Sequence, residues 1–125
     1  MIGWWIVIST QTPEERSAAS TDERQACILA TWEAGLGGLD WLDRLVAQSA
    51  AHKVRADGYP TVYLALAEAV IPLLVDGPPA HEGPMVIGDD YVMPAKWIGK
   101  VEMHAERMEK CPGQQRLTIE AWDLS

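Results

Sequence analysis

Two pairs of residues in the second half of the chain have the types and the closeness that acid/base or metal chemistry needs. His81-Glu82 and Asp89-Asp90 flank a short apolar run, Met85-Val86-Ile87, so an imidazole and three carboxylates would meet near one end of a strand. Such a set suits a divalent ion, or an acid and a base whose surroundings hold their proton affinities apart. No HExxH, HxH or cysteine-rich spacing accompanies it, and acidic pairs beside Gly and Pro commonly cap turns. The same loops, with Tyr91 beside them, would equally present polar groups to a macromolecular partner.

The other reactive side chains lead away from catalysis. His104 stands at the edge of an apolar stripe, where a histidine is ordinarily packed, and no sequence neighbour offers it a carboxylate and a substrate cavity together. Cys27 sits among Ala26, Ile28 and Leu29 with no activating base nearby, and Cys27 and Cys111 share no metal-ligand spacing, so both read as small buried hydrophobes in a reducing cytosol. Gly35-Leu36-Gly37-Gly38 follows a predicted helix, whereas a phosphate-binding loop follows a strand; the glycines are expected to join two helices. No GxSxG, Walker or kinase-like set is present. No cofactor is implied.

The six tryptophans say more. Trp4, Trp5, Trp32 and Trp97 fall on core-facing patterns, while Trp41 and Trp122 fall toward wetter faces and Met103 toward the polar side of a predicted helix. Exposed Trp and Met are typical anchors of a protein interface.

These residues must be positioned by elements legible in the periodicity. Trp4, Ile6 and Ile8 alternate with Trp5, Val7 and Ser9, which predicts a central strand covered on both sides. Thr12-Pro13-Glu14-Glu15 and Ser20-Thr21-Asp22-Glu23 each have the form of a helix start, and one helix is expected from the second, running to Ala34 along Ile28, Leu29 and Trp32. Leu39, Leu42, Leu45 and Val46 predict a helix to about Gln48. His52 to Ala56 reads as a short strand ending at Asp57-Gly58. A helix is expected from Pro60 to about Val70, although Thr61-Val62-Tyr63-Leu64 would also serve as the second arm of a hairpin. Pro94 opens an amphipathic helix on which Trp97, Ile98, Val101, Ala105 and Met108 share one arc, stopped by Cys111-Pro112-Gly113. Leu117, Ile119 and Ala121 alternate with Thr118, Glu120 and Trp122 in a final strand. The order implies a single α+β domain, a mixed or antiparallel sheet packed by two or three helices, with a ferredoxin-like split β-α-β as the leading arrangement.

Composition bounds the function. With 48% apolar and 22% charged residues the chain has a core to bury and is no disordered acidic tail. No apolar run nears the roughly 20 residues of a membrane helix, and the N-terminal apolar stretch lacks the basic leader and cleavage site of a secretory signal. Ten Lys and Arg against eighteen Asp and Glu, with no basic stripe, exclude direct nucleic-acid binding as the expected role. The absence of Asn and Phe beside plentiful Ala, Gly, Pro, Trp and Arg suggests a GC-rich bacterial or phage coding sequence. Together these imply a small acidic, non-enzymatic protein-binding domain. It would act as an accessory or inhibitor that covers a surface of a larger host complex, such as a nucleic-acid groove, as small anti-defence proteins do. The residues expected at that interface are Trp41, His81, Glu82, Asp89, Asp90, Tyr91, Glu102, Met103 and Glu106. The alternatives are a metal-dependent or acid/base enzyme built on the His81 and Asp89 loops, and a self-assembling subunit or homodimer. If the outer surface does the work, no deep cavity should gather ionisable side chains.

Overall fold

The segment with apolar side chains on both faces, Trp4–Ser9, forms strand β1 of the computed structural model, which describes residues 3–35, 38–55, 60–75, 77–79, 85–87, 91–93 and 98–123. It pairs antiparallel with β2 (Ile28–Ala34) on one side and β8 (Arg116–Asp123) on the other. β3 (Ala51–Arg55) and β4 (Thr61–Leu66) extend the sheet beyond β8, and β7 (Ile98–Met103) closes the opposite edge. The order is β3-β4-β8-β1-β2-β7, and every neighbouring pair is antiparallel. This is an α+β fold; β1 and β2, joined through helices, are adjacent and antiparallel, whereas a ferredoxin-like split β-α-β would set them parallel with another strand between them. Met85–Ile87 (β5) and Tyr91–Met93 (β6) form a separate two-stranded ladder.

Strand alternation gives the sheet two different faces. Ile6, Ile8, Trp32, Tyr63, Leu117 and Ile119 point to one side, where Trp41, Leu42 and Leu45 of α3 (Asp40–Ala47) and Val70 of α4 (Ala67–Val70) complete the core. A 3-10 turn, Ile71–Leu74, adds the buried Leu74 to it. The other side carries Ser9, Thr31, Glu33, Thr118 and Glu120, and α1 (Pro13–Ala18) lies over it. α1 begins with a complete capping box: Thr12 Oγ1 accepts from the Glu15 amide at 3.1 Å, and Glu15 Oε1 accepts from the Thr12 amide at 3.0 Å. Ser20 caps α2 (Thr21–Cys27) in turn, accepting from the Glu23 amide. Both start signals are therefore used, where one helix was expected.

Three further expectations are corrected. The predicted helix from Glu23 to Ala34 stops at Cys27, and the remainder is the fully buried β2. Ala30, Trp32 and Ala34 do alternate with Thr31 and Glu33, but a strand covered on both faces loses the polar contrast that betrays period two. Residues 61–66 are a strand and only Ala67–Val70 is helical, so the hairpin reading of β3 and β4 holds and the Pro60–Val70 helix does not. The predicted helix after Pro94 is β7 followed by the short α5 (Ala105–Glu109). Val101, expected in the core, is 48% exposed.

The turn at Gly35 follows a strand and leads into α3, the order a phosphate loop requires and not the joint between helices that was expected. Packing accounts for its last glycine: a Cβ on Gly38 would overlap the Ala34 side chain, and one on Gly3, at φ +152°, would overlap the Ala34 carbonyl. Asp40 and Asp43 in the first turn of α3 put negative charge where an anion would have to sit. Among the described residues no helix is long and apolar enough to cross a membrane.

Candidate partner-binding surface

β7 is an outer strand, and its pairing with β2 is irregular. Met103 and Glu102 oppose Ala30 and Thr31, but Gly99 opposes Glu33, so β7 takes up an extra residue at Lys100-Val101. Lys100 sits in the left-handed region at φ +47°. A bulge of this kind twists an edge and re-aims a side chain, and here Val101 is exposed on the outermost strand. The Lys100 ammonium meets the nearly buried Glu33 carboxylate at 3.1 Å. That contact offsets part of the cost of burying Glu33.

The chain then turns onto α5 through backbone and charge contacts. The His104 amide donates to the Leu29 carbonyl, continuing the ladder, and His104 Nε2 lies 3.2 Å from Glu102 Oε1. Arg107 Nη1 donates to the carbonyls of Gln25 and Ile28, at 2.8 and 2.7 Å, clamping α5 onto the end of α2. Charge-assisted bonds to carbonyls released at a helix end are strong for their size. The guanidinium is thereby turned inward, while Glu106 and Glu109 on the same helix are exposed. The corner thus exposes Val101 with the carboxylates of Glu102, Glu106 and Glu109, and the ammonium groups of Lys100 and Lys110.

Of the residues expected at an interface, Glu102 and Glu106 stand on this corner and are exposed. Met103 is half-buried against the core, on a strand and not on the polar side of a helix. Trp41 is corrected outright: it is 6% exposed, with its ring centroid 6.0 Å from that of Trp32, and so is part of the packing between α3 and the sheet. It faces inward because α3 begins at Asp40 and turns Trp41, Leu42 and Leu45 onto the sheet together. Trp122 is half-buried on the polar face. Tyr91 is placed by its backbone opposite Ile87 in the small ladder. His81, Glu82, Asp89, Asp90 and Trp97 lie outside the described residues, as does the metal or acid/base site that the first four would build. Among the described residues no three His, Cys, Asp or Glu side chains gather as a metal site.

Val101 escaped sequence reasoning because the bulge breaks its periodicity. Cys27 and Cys111 are free and half-buried, and burial pushes the Cys111 thiol above its ordinary value, away from nucleophilic use. Comparison with known proteins adds no name to this surface: no family model, curated protein or solved structure matches the chain.

Proposed function

We propose that this is a non-enzymatic protein-binding domain that docks through the corner formed by β7 and α5. The supporting observation is the inward turn of Arg107, which leaves Val101 and Glu102 of an outer strand and Glu106 of α5 exposed, with Lys100 held on Glu33 at the rim. An exposed aliphatic side chain on a corner where carboxylates outnumber ammonium groups suits a pocket framed by Lys and Arg. The net charge of −8 favours approach to a basic surface, such as the groove in which a larger complex holds nucleic acid. Inhibition would then be steric: the domain occupies the groove, and electrostatics speeds its arrival more than it tightens the complex.

The test is charge reversal. Glu102→Lys with Glu106→Lys should lower affinity for a partner captured by the wild-type domain by about tenfold or more and flatten its salt dependence, with the fold intact by circular dichroism. Unchanged affinity in the folded variant removes the corner from the interface. Asp89→Lys with Asp90→Lys puts the same question to the second acidic pair of the sequence.

A further inference from the structure

The polar face of the sheet holds an open cleft of about 470 Å³, walled by α1 and α2 and floored by β4 and β8. That volume lies within the range of small-molecule sites. Being open, it is not the deep cavity that would argue against a working outer surface.

Three of the chain's ten cationic residues line it, although the protein as a whole carries a charge of −8. Arg16 forks onto Glu120 with Nε and Nη2, each at 3.0 Å, and the two side chains keep only 12% and 14% of their exposure. That pair is closed on itself and rigid, but Arg16 Nη1 is buried with no acceptor. Arg24 is tied by Nε to the Arg16 carbonyl at 2.6 Å, which fixes its stem. Arg116, exposed at the rim, supplies the third guanidinium. Glu14 is the other carboxylate of the lining, so the positive charges of Arg24 and Arg116 outweigh it. Val62, Leu64 and Trp122 give it an apolar floor.

We propose that this cleft binds an organic anion: a carboxylate on an apolar body of a few rings or methylenes, with Arg24 and Arg116 on the carboxylate and Trp122 and Leu64 under the body. Planar guanidinium groups match a carboxylate in geometry as well as charge. Arg16 and Glu120 act as the fixed wall that positions α1. The site is separate from the β7–α5 corner and does not depend on the partner proposed there.

The probe is indole-3-acetate, with its neutral amide, indole-3-acetamide, as the isosteric control, titrated into ¹⁵N-labelled protein. The expected result is saturable shifts at the amides of Arg16, Thr118, Glu120 and Trp122, with the amide binding about tenfold weaker or worse. Arg24→Gln with Arg116→Gln leaves the Arg16–Glu120 fork in place and should weaken the acid by about tenfold or more; Arg116→Gln alone, which also keeps the bond from Arg24 to the Arg16 carbonyl, should weaken it without disturbing the rest of the spectrum. No saturable shift at those amides, equal binding of acid and amide, or full affinity in the folded double variant each overturns the proposal.

Discussion

On one face of the sheet, Ile6, Ile8, Trp32, Tyr63, Leu117 and Ile119 are sealed under α3; on the other, the same strands place Thr118 and Glu120 under α1 and open a cleft beside them. The two faces share a backbone and differ in what holds their helices down. α3 carries no side-chain cap and is held by Trp41, Leu42 and Leu45, so its stability comes from burial. α1 buries no residue and is held by a capping box, by the fork of Arg16 on Glu120, and by Thr118 donating to the Gln11 carbonyl at 2.6 Å. A helix held by directional polar contacts leaves space between itself and the sheet. The face that fixes the fold is thus separate from the face that offers groups to a ligand.

Breaking this contrast should give unequal effects. Leu42→Ala, which empties a fully buried position under α3, should cost about 3 kcal/mol or more in urea unfolding. A loss below about 1 kcal/mol would mean that α3 is not held by burial. Glu120→Ala leaves Arg16 facing the sheet unpaired. Because the pair keeps some exposure, the expected loss is discounted from that of a fully buried pair to about 2 kcal/mol. Arg16→Met with Glu120→Leu should recover much of it, and failure to do so would assign the pair a net stabilising role. A third variant sharpens the dry face. Tyr63 lies in the core with its hydroxyl donating to Asp43 Oδ1 at 3.3 Å, and burial, reinforced by the Asp43 charge, holds its phenol above the ordinary value. Both states keep the proton below about pH 10, where an unfolded tyrosine ionises. Above that the unfolded chain loses the proton first, so stability is flat below and falls as pH rises, by up to about 1.4 kcal/mol per pH unit. Tyr63→Phe should remove that part of the slope between about pH 10 and 11; an unchanged slope would show that the phenol is not shielded.

Much of the dry face was legible in the chain. β1 and β8 alternate and α3 repeats at three and four; on the polar face only the Thr12 and Ser20 caps, which are local chemistry, were as plain. β2 reads as helix in the sequence because both of its faces are covered, and in both β2 and β4 the pairs Ala30–Ala34 and Val62–Leu66 sit at a spacing that suits either period. β7 was hidden by its bulge, since an extra residue at Lys100-Val101 shifts every later side chain to the other face. The candidate corner was legible through Glu102 and Glu106, whereas the pairing of Arg16 with Glu120 joins residues 104 positions apart and leaves no local trace.

The central claim, that the outer strand β7 is where another protein is engaged, is tested most directly by a photo-crosslinking residue placed at Val101 and, as a control on the opposite side of the fold, at the exposed Ala47 of α3. In lysate of the source organism, Val101 should give one dominant adduct that weakens as salt is raised, and Ala47 should not yield it. Equal adducts from both positions, or the same partner captured from Ala47 alone, would contradict the account.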